Sequence, residues 1–295
     1  MPIAVIGANG QLGSDLIAAF TNAGEDVRAL THADLEITNP NSVSSVLEQV
    51  QPQVIVNTAA MHHVENCERE PEKAFAVNAI GAKNLGLEAR RLGAVLMHVS
   101  TDYVFDGSKG SSYVEEDSPR PLNVYGITKV AGEHFVRATT DRHFVIRSSG
   151  LYGTSLCRAK GGLNFVELML KLAKEREEVR VVDSEFVTPT STRELAEQIV
   201  QLSRSDCYGL YHATAEGSCS WYEFAQEIFA LTDTPVRLKV AAPGEFPAKV
   251  ARPSYSVLEN RALKRIGLNI FKPWQEGLRN YLGPRIKSSS PQICR

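Results

Sequence analysis

The chain has 295 residues, 43% of them hydrophobic and 22% charged, which is enough to bury a large core without disulfides or a structural metal and excludes whole-chain disorder. Lys plus Arg number 32 and Asp plus Glu 34, a net charge of -2, so a nucleic-acid partner has no electrostatic support. Apolar runs such as residues 54–56 and 94–97 fall far short of the ~20 residues that span a bilayer, and no membrane partner is expected.

Residues 1–7 (Met-Pro-Ile-Ala-Val-Ile-Gly) go directly into a strand, with no charged leader and too short an apolar stretch for a signal peptide. Residues 3–6, 27–30, 54–57, 95–99 and 144–146 read as buried strands, since they lack polar alternation. Between them, residues 11–23, 42–49, 71–92 and 124–137 carry helical spacing; Ala74, Val77, Asn78 and Gly81 fall on one side of such a helix. Strand–helix alternation at this pitch predicts an α/β fold with a doubly wound parallel sheet of Rossmann type. After Arg147 the pattern predicts helices at 164–176, 192–203, 221–231 and 273–281. Strands are expected at 179–182 and 209–213, and an exposed one at 235–240. The division expected is a dinucleotide-binding domain over 1–150, with a returning segment near 186–214. A smaller α/β C-terminal substrate domain would take 151–185 and 215–286, leaving 287–295 as a frayed polar tail. Cys67, Cys157, Cys207, Cys219 and Cys294 lack paired spacing, and free thiols in a reducing cytoplasm are expected.

Gly7-Ala8-Asn9-Gly10-Gln11-Leu12-Gly13 follows the first strand and opens the first helix. Gly7 permits the tight turn, Gly10 lets the backbone approach a pyrophosphate, and Gly13 lets helix and strand pack closely. The amides of Asn9, Gln11 and Leu12 at the helix start complete an anion cradle. The spacing is GxxGxxG, weak by itself, but its place at the first strand of an alternating chain points to a dinucleotide. The second strand ends Leu30-Thr31-His32, with Asp34 and Glu36 a little beyond. Without a carboxylate at the tip a 2′-phosphate is not repelled, so NADPH is expected near Thr31 and Glu36, with NADH as second choice. Arg28 either assists that phosphate or is a solvated charge.

Tyr125 and Lys129 form Tyr-x-x-x-Lys, one helical turn apart. An ammonium beside a phenol favours the phenolate, so Lys129 is expected to lower the Tyr125 pKa. Taken alone the pair also fits an exposed helix surface. Upstream, Ser100-Thr101-Asp102-Tyr103-Val104-Phe105-Asp106-Gly107 ends the fourth strand, where open α/β sheets place their sites. Thr101 can offer its hydroxyl to a substrate oxygen that Tyr125 also contacts, with Asp102 and Tyr103 lining the pocket. Strand-end capping is the plainer use of these hydroxyls.

Together these segments resemble the extended short-chain dehydrogenase/reductases and, more narrowly, the dTDP-4-dehydrorhamnose reductase family. The resemblance covers nearly the whole chain. It includes the Val-Ile-Val-Asn-Thr-Ala-Ala run at 54–60, Asn78, and Pro-Leu-Asn-Val-Tyr-Gly-Ile-Thr-Lys-Val-Ala-Gly-Glu at 121–133. It continues with Arg147-Ser148-Ser149, Leu151-Tyr152-Gly153, Asn164-Phe165-Val166, Pro189-Thr190, Ser220-Trp221-Tyr222, Arg252-Pro253 and Ser256. It implies Thr101, Tyr125 and Lys129 as catalytic residues, reducing the C4 ketone of a nucleotide-linked 6-deoxy sugar for dTDP-rhamnose and polysaccharide biosynthesis. Tyr125 would supply the proton, Thr101 would bond the same oxygen, and Lys129 would hold the nicotinamide ribose. It also implies that Asn57, Ala59, Ala60, Asn78 and Ser100 lie against the cofactor, and that His62, Gly150, Asn164 and Arg252 line the substrate side.

Two departures concern the sugar: Met61-His62-His63-Val64-Glu65 replaces a Tyr-Thr-x-Val-Asp pattern, and Gly150 stands where the family often has Trp. For His62, His63, Glu65 and Cys67, a substrate- or cofactor-facing role ranks first, a surface role second and a metal third. Arg252 suits a diphosphate or an ordinary surface position equally. Trp221 and Tyr222 are expected in the core. No ligand set for Mg2+ is apparent, so its need stays open, as does a homodimer. The alternatives are an epimerase or reductase on another sugar nucleotide and a non-catalytic NADP-binding regulatory subunit; a pure binding module has no use for Thr101, Tyr125 and Lys129.

Overall fold

In chain order the elements are β1 (Pro2–Ile6), α1 (Gln11–Asn22), β2 (Asp26–Leu30), α2 (Pro40–Val50), β3 (Val54–Asn57), α3 (Val64–Arg69) and α4 (Pro71–Phe75). A π turn (Ala76–Ile80) leads into α5 (Gly81–Leu92), followed by β4 (Val95–Thr101), a 3-10 turn (Asp102–Val104), α6 (Val124–Thr139) and β5 (His143–Ser148). Then come β6 (Leu151–Tyr152), α7 (Phe165–Glu175), β7 (Glu178–Val181), β8 (Phe186–Val187), β9 (Thr190–Ser191) and α8 (Thr192–Ser203). The rest are β10 (Gly209–His212), β11 (Cys219–Ser220), α9 (Trp221–Leu231), β12 (Arg237–Val240), α10 (Arg261–Arg265) and α11 (Trp274–Ile286). The structure is a computed structural model and describes residues 1–156, 162–242, 244–246 and 249–286.

Six parallel strands make the central sheet in the order β10-β5-β4-β3-β1-β2. The order reverses between β1 and β3, which opens a crevice beyond the carboxyl ends of the strands. The apolar runs are continuous because successive side chains enter two different cores. Ile3 and Val5 join Val54, Val56, Phe144 and Ile146 against α1 and α8. Ala4 and Ile6 join Ile55 and Val145 against α2 and α5. A third apolar cluster gathers Tyr152, Val166, Phe224, Trp274 and Leu278 from β6, α7, α9 and α11, with Trp221 and Tyr222 packed on it as expected.

The structure corrects three expectations. β2 is the sheet edge, so Arg28 and Ala29 are exposed instead of buried. The segment 71–92 is not one helix: the π turn divides α4 from α5, and α3 precedes them. Asn78 explains the interruption, because within that turn its side chain bonds both the Met61 amide (2.8 Å) and the Met61 carbonyl (2.9 Å), anchoring the loop after β3. The last helix runs on to Ile286. Cys67, Cys207 and Cys219 are free thiols, while Cys157, Cys294 and the expected tail lie outside the described residues. No described helix is long and apolar enough to cross a membrane.

Candidate active site

The glycine turn has the shape its sequence predicts. Gly7 sits at φ +79°, and a Cβ there would lie 2.6 Å from Thr58 Oγ1 and 2.9 Å from the Ala59 amide. A Cβ on Gly13 would run into the Gly7 carbonyl oxygen. Gly10 is the N-cap of α1 and offers no side-chain cap, so the amides of Gln11, Leu12 and Gly13 face the crevice with the positive end of a 12-residue helix behind them. Side chains contribute little here: Leu12 is in the core, Asn9 is exposed, and Gln11 donates to the Gly153 carbonyl (3.2 Å). A turn in which two glycine positions have no room for a Cβ, closed by an uncapped helix start, fits a dinucleotide pyrophosphate.

The tip of β2 departs from expectation. Asp34 folds back so that its Oδ2 accepts from the Thr31 amide (2.8 Å) and the Thr31 hydroxyl (2.6 Å). Those two bonds hold its carboxyl below the usual aspartate range, so the tip does carry an exposed negative charge. Glu36 is turned toward Thr38 and His32 instead, and Arg28 lies exposed 3.7 Å from Asp26.

At the end of β4, Thr101 accepts from the Tyr103 amide (3.2 Å) and donates to Asp102 Oδ1 (3.1 Å), and its hydroxyl lies close enough to the Tyr125 phenol to act on it. Asp102 is buried; its other oxygen accepts from Ser149 (2.9 Å), and Ser256 bonds it as well. Its carboxylate therefore holds Thr101 in place from below. Tyr103 meets Tyr125 edge to face, ring centroids 6.0 Å apart.

The expected acidification of Tyr125 is not found. The protein packed around its hydroxyl pushes the phenol up, the Thr101 bond works against that, and Asp102, Cys67 and Tyr103 add to the rise. Lys129 is occupied elsewhere, donating to the Val99 carbonyl (2.8 Å) and meeting His98 Nε2 (3.2 Å). Burial brings Lys129 down to about 8, with Glu133 opposing.

Several other candidates turn out to bond inside the fold. Asn57 accepts from the Ala59 amide (3.0 Å), and Ala60 is half-buried just beyond β3. Asn78 also reaches Thr128 (3.0 Å), and Ser100 donates to Glu133 (2.5 Å). Asn164 caps α7 and donates to the Gly153 carbonyl (2.8 Å). The space a side chain at Gly150 would take is closed by the Thr188 carbonyl (2.9 Å) and Pro189, so the missing aromatic leaves no hole there. Arg252, in the loop before α10, pairs with Glu65 (2.7 Å) on α3. His63 caps α3, Cys67 donates to the Met61 carbonyl (3.2 Å), and His62 lies partly buried beside them. Among the described residues no group of three or more His, Cys, Asp or Glu could hold a metal ion.

Sequence reasoning missed the buried polar floor behind the site. Arg147 grips Glu133 with two bonds (2.9 and 2.7 Å) and reaches His212 Nε2 (3.5 Å), while His98 Nδ1 meets Asn57 Nδ2 (3.0 Å). The available signal was a histidine inside the otherwise apolar run 95–99.

A family model described as the RmlD substrate binding domain matches residues 1–285. The chain is 41% identical over 283 residues to the spore coat polysaccharide biosynthesis protein SpsK of Bacillus subtilis, covering 96% of this chain and 97% of that one. The solved dTDP-4-dehydrorhamnose reductase of Clostridium acetobutylicum superposes with TM-score 0.92 at 38% identity, covering 97% of this chain and 99% of that one. The Bacillus anthracis dTDP-4-dehydrorhamnose reductase, solved in complex with NADP, gives 0.91 at 37%, covering 96% and 98%.

Proposed function

The chain belongs to the RmlD substrate binding domain family, and on that premise we propose that it reduces the C4 ketone of a nucleotide-linked 6-deoxy-4-keto sugar, dTDP-4-dehydrorhamnose giving dTDP-rhamnose. The observation that supports this reading is Thr101 at the end of β4, its hydroxyl bonded to buried Asp102 (3.1 Å) and near enough to Tyr125 of α6 to act on that phenol.

When bound, the reduced nicotinamide supplies a hydride to the carbonyl carbon. Tyr125 supplies the proton to the oxygen. A phenol held above its ordinary range stays protonated at neutral pH, which is the state a donor in the reducing direction requires. Thr101 aligns that oxygen, and Asp102, satisfied by Ser149 and Ser256, fixes the Thr101 rotamer. Lys129 is assigned to the nicotinamide ribose. Gly7, Gly10 and Gly13 with the amides of α1 are assigned to the pyrophosphate. Arg252 is assigned to the substrate diphosphate, exchanging Glu65 for it. The elements around the third apolar cluster would close over the sugar nucleotide. NADPH is taken over from the NADP of the Bacillus anthracis relative, and Asp34 leaves NADH open as a second reductant.

The test is dinucleotide oxidation over a panel of nucleotide-linked 4-keto sugars, with the products identified. Turnover of dTDP-4-dehydrorhamnose to dTDP-rhamnose is expected. Oxidation with none of the panel, by folded protein that binds the dinucleotide, would reject the reading.

A further inference from the structure

Lys129 and Glu133 are four residues apart on α6, a rise of about 6 Å, and His98 and Ser100 are two apart on β4, about 6.6 Å. The two spacings match, so two helix side chains meet two strand side chains in order: Glu133 takes the Ser100 hydroxyl and Lys129 meets His98. Both members of the second pair are buried, 2% and 1% exposed, where an unmatched proton is expensive.

The protons can be placed. The Ala59 amide donates to Asn57 Oδ1 (3.0 Å), which fixes the Asn57 side chain with its NH2 toward His98 Nδ1 (3.0 Å). An amide NH2 only donates, so Nδ1 must accept and carries no proton. Burial and the neighbouring lysine hold His98 far below the usual imidazole range, so it is neutral and its single proton sits on Nε2. That N–H points at Lys129 Nζ, 3.2 Å away. An ammonium has no lone pair, so the contact is a hydrogen bond only when Lys129 is an amine; the Val99 carbonyl accepts from either form.

We propose that His98 is a positioning residue for Lys129, a single-tautomer donor fixed by Asn57 that favours the amine form of that side chain over the ammonium. The assignment rests on Lys129 being the lysine of the site. The other groups around α6 do not replace this control. Glu133, one turn on, favours the ammonium but is itself gripped by Arg147 of β5. Cys67 on α3 and Asp102 and Tyr103 on the 3-10 turn act on Tyr125, Glu68 of α3 accepts from the Val124 amide, and Lys83 of α5 lies over Phe135. The consequence is an alkaline limit: above the midpoint of Lys129 the site loses the cation assigned to the ribose, and His98 brings that limit toward neutral pH.

The test is a pH titration of the Lys129 Cε signal in protein labelled with carbon-13 lysine, assigned by its loss in Lys129→Met and read without substrate. The wild-type midpoint is expected at about 8. His98→Gln places an acceptor oxygen near the position of Nε2 and is expected to raise the proton affinity of Lys129 at least tenfold, with the alkaline limb of kcat/KM moving the same way. His98→Asn keeps a partner for Asn57 while withdrawing the donor from Lys129, and a smaller rise is expected. Either folded variant with an unmoved midpoint overturns the proposal. Failure of the reductase reading would show as no turnover in the wild type and would leave this titration readable.

Discussion

At the end of β1 the proposed site is made of backbone: Gly7 turns at φ +79°, Gly13 lets the helix approach, and α1 starts without a side-chain cap. Across the crevice, at the end of β4, nearly everything is side chain. Thr101, Asp102, Ser149, Tyr125, Lys129, His98 and Asn57 come from several separate segments and bond one another before any ligand is considered. A backbone site tolerates many side chains and forbids a Cβ at a few points. A side-chain site depends on who donates to whom, and one altered proton changes its chemistry.

Tyr125→Phe should separate the two regions most sharply. Removing the hydroxyl is expected to cost on the order of 10²–10⁴-fold in turnover, while dinucleotide affinity, set at the glycine turn, changes little. Single-turnover kinetics beside fluorescence binding would measure both. An unaltered rate would remove Tyr125 as proton donor. The complementary change is Gly13→Ala. Its methyl meets the Gly7 carbonyl, so the helix must back away from the strand, and overpacking of this kind costs about 1–3 kcal/mol. Both the urea midpoint and dinucleotide affinity are expected to fall, whereas Tyr125→Phe should leave the midpoint nearly in place. Full dinucleotide affinity in Gly13→Ala would mean that the turn does not hold the pyrophosphate.

The same contrast explains what was legible in the sequence. Alternating apolar runs and glycine spacing are one-dimensional records of backbone geometry, and they carried the parallel sheet, the turn and the positions of α8 and α9. Thr101, Tyr125 and Lys129 are singled out by residue type and spacing. Their couplings are not, because spacing on a helix says that two side chains share a face and nothing about a third partner. Lys129 is one turn from Tyr125, yet its bonds go to β4, since the Val99 carbonyl and the buried His98 ring lie in reach. Asn78, Ser100 and Asn164 bond within the fold for a related reason: each is a buried polar group that has to be satisfied there.

The β2 tip lies between the two kinds of site and gives the smallest effect. A strand ending Leu30-Thr31-His32 has no acid at its last residue, but a tight turn brings Asp34 back onto Thr31, and in the proposed site its charge falls where dinucleotide folds of this type distinguish the ribose 2′-substituent. An exposed carboxylate a few ångströms from a doubly charged phosphate is repelled even in water, by roughly tenfold in affinity at low salt. Asp34→Asn keeps an oxygen for the Thr31 amide and removes the charge. The ratio of kcat/KM for NADPH over NADH is therefore expected to rise roughly tenfold, by a gain for NADPH that shrinks as salt is added. If the ratio stays put, the 2′-position is read by the backbone of the turn, and the tip of β2 belongs with the glycine site and not with the side-chain one.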